Sequence, residues 1–158
     1  MARAKQEFWG WYERNYALNV GIAAALFALQ LVHLVWLAGD PLAERLSGTP
    51  LFELDGPFRW LIVLVDYTET PALVSASLVY LHALHARGLA LRPVLYLLFL
   101  NSQWLHIFWI TDEFVVGASG AGSLPVWLAY VAILIDYLEL PVMVDTSKRL
   151  VIAVAEQR

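Results

Sequence analysis

Two related acidic motifs, each inside a long apolar segment, constrain the fold of this chain more than any other feature. They are DYTETP at Asp66–Pro71 and DYLELP at Asp136–Pro141. Each follows a segment with a second shared motif, QLVHLVW at Gln30–Trp36 and QWLHIFW at Gln103–Trp109. The proline that closes each acidic motif is predicted to bend its helix. The pattern predicts two copies of one helical hairpin, each carrying one histidine and two carboxylates.

The composition is typical of a membrane protein. Of 158 residues, 60% are hydrophobic and 15% are charged, and the mean hydropathy is +0.63. Soluble domains are about half apolar and about a quarter charged. A helix that crosses a bilayer needs about 20 largely apolar residues. The stretches long enough to do so are approximately Tyr16–Ala38, Phe58–Leu84, Leu91–Val116 and Leu124–Val144.

We therefore expect an all-α integral membrane protein, an up-down-up-down bundle of four transmembrane helices that forms one domain over residues 1–158. The first hairpin covers about residues 16–86 and the second about 90–146. Because both begin on the same side of the membrane, they are parallel repeats. Residues 1–15 mix aromatic and charged side chains, a pattern that predicts a short helix in the headgroup layer.

The basic residues predict the orientation of the bundle. Eight of the ten Lys and Arg residues lie before the first span, between the second and third, or after the fourth, whereas Arg45 and Arg59 lie on the other side. The positive-inside rule then places both termini in the cytoplasm, as in a bacterial inner membrane. The partners expected are the bilayer, a lipophilic small molecule, and either further copies of the chain or a larger membrane complex. No nucleic acid is expected.

The six acidic and histidine side chains of the shared motifs are predicted to meet in one layer of the bundle. Residues three apart share a helix face, so each Asp-x-x-Glu motif presents two carboxylates. Four carboxylates close together in a low dielectric cannot all ionise unaided, but two divalent cations would balance their charge. Carboxylate and imidazole ligands suit iron, manganese or zinc. The predicted metal ligands are His33, Asp66, Glu69, His106, Asp136 and Glu139.

Other polar residues near these ligands are candidates for supporting roles. Gln30 and Gln103 are predicted to orient the carboxylates, with ordinary hydrogen bonding between helices as the alternative. Tyr67 and Tyr137 follow the two aspartates directly and are the candidate catalytic residues, as carriers of a proton or an electron. The alternative is that they only pack and donate one hydrogen bond.

Three functions are compatible with this pattern. The leading one is a dinuclear metal protein, with iron as the favoured metal, that acts as an oxidoreductase on a lipophilic substrate. Its ligand inventory matches the ferritin-like di-iron bundles, but the order along the helices differs, so the analogy is one of chemistry alone. The second is a relay or transport protein for protons or cations. The third is a structural subunit of a membrane complex, pinned by metals or by a haem between His33 and His106.

Overall fold

The computed structural model describes residues 2–52, 56–112 and 125–157, and the regular secondary structure in these ranges is helical. The helices are α1 Ala2–Arg14, α2 Tyr16–Leu37, α3 Ala43–Ser47, α4 Pro57–Tyr67, α5 Glu69–Arg87, α6 Leu91–Ile110, α7 Val126–Asp136 and α8 Glu139–Ala155. One π-helical turn, Ala38–Leu42, joins α2 to α3. The prediction of an all-α fold is confirmed for the described residues.

Two helical stretches in the described ranges are long and apolar enough to cross a membrane. Tyr16–Ser47 has 32 residues and a mean hydropathy of 2.1, and Trp60–Arg87 has 28 residues and a mean hydropathy of 1.3. They correspond to the first two predicted spans. The predicted third and fourth spans, Leu91–Val116 and Leu124–Val144, extend into residues outside the described ranges. The four-span bundle therefore stays a prediction.

Each acidic motif contains a break in its helix. α4 gives way to α5 between Asp66 and Glu69, and α7 gives way to α8 between Asp136 and Glu139. The proline two positions after each glutamate explains the break, because a proline ring excludes the carbonyl four residues earlier. In both breaks a backbone N–H donates instead to the carbonyl three residues earlier, at 2.9 Å. The aspartate and the glutamate of each motif thus belong to different helical segments.

The broken helices pack against α2 and α6. α2 contacts α4, α5 and α8, while α6 contacts α4, α5, α7 and α8. Small residues lie where the helices approach closely, since Ala23, Ala72 and Ala76 are fully buried. Small side chains let helix backbones come near each other. This packing buries the polar residues of the shared motifs in one common interior between the helices.

The described helices bury a group of polar residues within an otherwise apolar core, and they also expose large apolar side chains on their outer faces. The buried polar residues are Gln30, His33, Asp66, Glu69, Gln103, His106, Asp136, Glu139 and Thr146. Large apolar side chains lie on the outer faces, and Val35, Leu64 and Leu134 are each 63–67% exposed. Exposed apolar area costs roughly 25 cal/mol per Å² in water, so this distribution favours an apolar surrounding.

The predicted N-terminal helix is present as α1, and aromatic contacts attach it to the end of α5. Trp9 stacks on His85 with ring centroids 5.1 Å apart. Tyr12 is buried, and its ring centroid lies 5.2 Å from that of His82. The end of α5 therefore holds α1 beside the helices.

Enlarging a buried small residue on α2 should destabilise the protein. We expect Ala23→Leu to lower the free energy of unfolding by about 1–3 kcal/mol, because extra methylenes in a packed interior force side chains out of place. Thermal unfolding in detergent measures the change. Ala25→Leu is the matched control, since Ala25 is exposed on the same helix. Equal effects of the two substitutions would contradict the observed packing face.

Candidate metal centre

The six predicted ligand side chains are all buried, each at most 2% exposed. They come from six positions on the long helices: α2 supplies one histidine, α6 supplies the other, and the two broken helices supply the acids. Groups of these side chains are close enough to hold a metal ion. The prediction that buried His and carboxylate groups come together is therefore confirmed, and the group is called the acid–histidine cluster below.

One set of three side chains in the cluster centres on Asp66. His33 Nε2 lies 3.1 Å from Asp66 Oδ1, and His106 Nε2 lies 3.2 Å from the same oxygen. The two imidazole rings are 5.3 Å apart and nearly perpendicular, with an angle of 78° between their planes. Ligand atoms of all three residues lie within 4.8 Å of one another.

These short distances are not all hydrogen bonds. His106 Nε2 and Asp66 Oδ1 have hydrogen-bond geometry, whereas His33 Nε2 has no hydrogen-bond partner among the described residues despite its 3.1 Å approach to the same oxygen. Two ligands of a tetrahedral metal with bonds of about 2.0–2.1 Å lie about 3.3–3.4 Å apart. The observed separations of 3.1 and 3.2 Å are slightly shorter than that spacing and also lie within the range of hydrogen bonds.

A second set of three side chains overlaps the first. Ligand atoms of Glu69, His106 and Asp136 lie within 4.8 Å of one another, and Asp136 Oδ2 lies 3.5 Å from His33 Nε2. Glu139 is in neither set, but it interacts electrostatically with Asp136 and His106. His106 belongs to both sets, so the two halves of the cluster are joined through one imidazole.

Much of the polar surface of the cluster has no hydrogen-bond partner within the described chain. The unpartnered atoms are His33 Nδ1 and Nε2, His106 Nδ1, Asp66 Oδ2, both carboxylate oxygens of Glu69, Asp136 Oδ2 and Glu139 Oε1. Each buried polar atom left unsatisfied costs about 1–3 kcal/mol, and more when it is charged. Several oxygens and two imidazoles around one interior suit a hard or borderline metal ion. The residues present therefore fit a metal.

The two buried glutamines contact the helix breaks. Gln30 Nε2 donates to the carbonyl of Val65 at 3.2 Å and to Thr68 Oγ1 at 3.0 Å. Gln103 Nε2 donates to the carbonyls of Ile135 and of the residue after it, at 2.9 and 3.3 Å. Both amides thus bond beside an aspartate, to backbone or hydroxyl oxygens. The predicted role of both glutamines in orienting the carboxylates stays a prediction.

The two tyrosines point to neighbours outside the cluster. The Tyr67 hydroxyl lies 2.6 Å from Thr111 Oγ1, and the Tyr137 hydroxyl donates to the carbonyl of Leu34 at 3.4 Å. The threonine partner was missed by sequence reasoning, which had no signal for it outside the shared motifs. A catalytic role for either tyrosine stays a prediction.

A tryptophan packs beside each histidine in the same way. The ring centroids of His33 and Trp36 are 5.5 Å apart, and those of His106 and Trp109 are also 5.5 Å apart. Both tryptophans are buried. Their spacing of three from the histidine in each shared motif is the sequence signal for this contact. The rings give both imidazoles an apolar wall.

Comparison with protein-family models, with curated proteins and with solved structures finds no match. The geometry of the acid–histidine cluster is therefore the basis for assigning a function.

Removing the amide of Gln103 should destabilise the packing of the helices. Gln103→Met keeps the length of the side chain but removes both hydrogen bonds from its amide to the carbonyls at the second helix break, so we expect a loss of about 1–3 kcal/mol in the free energy of unfolding. Chemical or thermal unfolding in detergent measures it. Asn101→Leu is the control, because Asn101 is exposed and its amide bonds only within α6. A larger loss of unfolding free energy for the control would contradict a stabilising contribution from the Gln103 hydrogen bonds.

Proposed function

We propose that this chain is an integral membrane protein that holds a dinuclear His/carboxylate metal centre and acts as a metal-dependent oxidoreductase on a lipophilic substrate. The observation that carries the proposal is the burial of four carboxylates and two imidazoles around one interior, each at most 2% exposed. Ionisable groups inside a membrane are costly, at least about 2.5–3.5 kcal/mol each for Asp at a helix centre, and they mark functional sites.

A membrane location is supported by the arrangement of polar and apolar side chains. The charged residues of the cluster face inward, and the outer faces carry large apolar side chains. In the proposed arrangement α2 and α4/α5 are the first two spans, and α6 and α7/α8 are the third and fourth. The matched contacts of the two histidines and of the two glutamines support the duplicated hairpin.

Two metal ions are supported by charge balance. Four ionised carboxylates carry four negative charges, and two divalent ions would neutralise them while both imidazoles stay neutral. Each imidazole nitrogen offers one lone pair to a metal. We propose that His33 and His106 each serve one ion and that the carboxylates of Asp66, Glu69, Asp136 and Glu139 are shared between the ions. A single ion in the set of His33, Asp66 and His106 is the alternative.

Iron is the metal we favour, with manganese or zinc as alternatives, because oxygen and imidazole ligands suit all three. When bound, iron supplies redox chemistry. The residues of the chain hold the ions, exclude water, and leave a lipophilic substrate to approach from the bilayer. Zinc in the same place would supply a bound hydroxide or serve as a structural link between the helices.

The relay hypothesis is weakened by an apolar layer beside the cluster. Glu139 and Thr146, the next buried polar residue on α8, are seven residues apart, about 10 Å along the helix. Buried Leu73, Ala76 and Val142 belong to the apolar core on this side. A continuous proton path needs polar steps at hydrogen-bond spacing. The side chains of Leu73, Ala76 and Val142 offer none, although the Tyr80 hydroxyl donates to the Val142 carbonyl at 3.3 Å.

The haem hypothesis is weakened by the position of Asp66. The Nε2 atoms of His33 and His106 both lie within 3.2 Å of one carboxylate oxygen. A haem held by two histidines needs its iron between those nitrogens and the porphyrin plane around it. A carboxylate occupies that place.

Elemental analysis of the detergent-purified protein tests the metal centre. We expect about two metal equivalents per chain in the wild type. His33→Ala and His106→Ala should each lose about one metal equivalent, because each removes the imidazole that serves one ion in the proposed centre. The control is Glu44→Gln, which removes an exposed acid outside the cluster. A metal-free wild type, together with unchanged stability of Asp66→Asn and Asp136→Asn, would refute the centre.

Accessibility of single cysteines tests the proposed topology. The chain has no cysteine of its own, so Thr49→Cys and Gln157→Cys each introduce one thiol at an exposed position. In intact cells we expect a membrane-impermeant maleimide to label Thr49→Cys, which lies on the outer side, and to label Gln157→Cys only after lysis. Labelling of Gln157→Cys before lysis would show that the orientation is reversed.

A further inference from the structure

A basic cavity lies at the end of the helices that is proposed to face the cytoplasm. Its volume is about 460 Å³, and its walls come from the start of α2, the end of α5, the start of α6 and the last turns of α8. The charged side chains in its wall, besides His82, are Arg87, Arg92, Lys148, Arg149, Asp145 and Glu156. Four cations face two carboxylates, so two positive charges are in excess.

The carboxylate of Asp145 is already engaged within this cavity. Arg149 Nε lies 2.6 Å from Asp145 Oδ2, Arg92 Nη1 lies 3.9 Å from Oδ1, and the Tyr80 hydroxyl lies 3.2 Å from Oδ2. In contrast, Arg87 and Lys148 have no ion-pair partner in the part of the chain that the structure describes. The excess positive charge is therefore available to an anion.

An apolar groove continues from the basic cavity along α8. Its volume is about 610 Å³, and its walls include Leu31, Leu140, Val144 and Val151. The groove and the basic cavity share Lys148 and Ile152. From Ile152 back to Leu140 the helix rises about 18 Å, roughly half of the 30 Å apolar core of a bilayer. A polar head and one hydrocarbon chain would thus find adjoining places.

We propose that the basic cavity and the apolar groove together bind one anionic phospholipid, with its phosphate in the cavity and one acyl chain along α8. Basic pockets on the cytoplasmic side of transmembrane helices suit anionic headgroups. The adjoining groove favours a lipid over free phosphate, because a small anion would leave the apolar wall uncovered. This inference depends on the proposed membrane location but not on the metal centre.

Native mass spectrometry of the full chain in detergent tests the charge requirement. The protein is titrated with phosphatidylglycerol and with phosphatidylcholine of the same acyl chains, and we expect the anionic lipid to bind more tightly. Each cation near a membrane surface contributes about a fivefold factor in affinity. Arg87→Gln with Lys148→Gln should therefore weaken phosphatidylglycerol binding about 25-fold. The control pair, Arg3→Gln with Lys5→Gln, removes two exposed charges on α1 and should change little.

A second substitution tests the acyl-chain groove. Val144→Trp fills the groove and should weaken phosphatidylglycerol binding, whereas Val35→Trp, at an exposed position on α2 outside both cavities, should not. Equal binding of the two lipids, no effect of the Arg87 and Lys148 substitutions, or full competition by inorganic phosphate would overturn the proposal. His106→Ala should keep its lipid affinity even if it loses metal, so a failure of the metal centre is distinguishable from a failure of the lipid site.

Discussion

The neutralisation of buried charge is the constraint on which the rest of this structure depends. Four carboxylates and two imidazoles share an interior from which water is excluded, and unpaired charge there is unfavourable in any apolar surrounding. The carboxylates must be balanced by bound protons or by cations. The proposal of bound cations depends on the oxygen and nitrogen atoms of the cluster that have no hydrogen-bond partner among the described residues. The proposed function follows from that choice.

The packing around the cluster serves to hold the acids in place. Each acidic motif carries a proline and a helix break, and a glutamine on the neighbouring helix bonds at the same level. Beside each break a carbonyl, that of Val65 or Ile135, accepts both a backbone N–H and the amide of Gln30 or Gln103. A tryptophan closes the space beside each histidine. The same arrangement occurs on both sides of the interior.

The sequence predicts much of this arrangement because long apolar segments leave few alternatives. Long apolar segments must be helical when no water is present to satisfy the backbone, and a spacing of three places each Asp and Glu on one face. The convergence of His33, Asp66 and His106 followed from these rules. The membership of His106 in both sets of side chains does not follow from these rules, because it depends on side-chain conformations. The bonds of the glutamines to the backbone also depend on how the helices pack at the breaks.

The break between aspartate and glutamate has a mechanical consequence. In each motif the two acids lie on separate helical segments, α4 and α5 or α7 and α8. A change in the angle between the two segments would change the distance between the two carboxylates. Linkage is reciprocal, so an ion bound by acids of both segments would restrict bending at the break. A force that bends the helix at the break would in turn weaken ion binding. The bend angle of each broken helix and the metal occupancy of the cluster would then depend on each other.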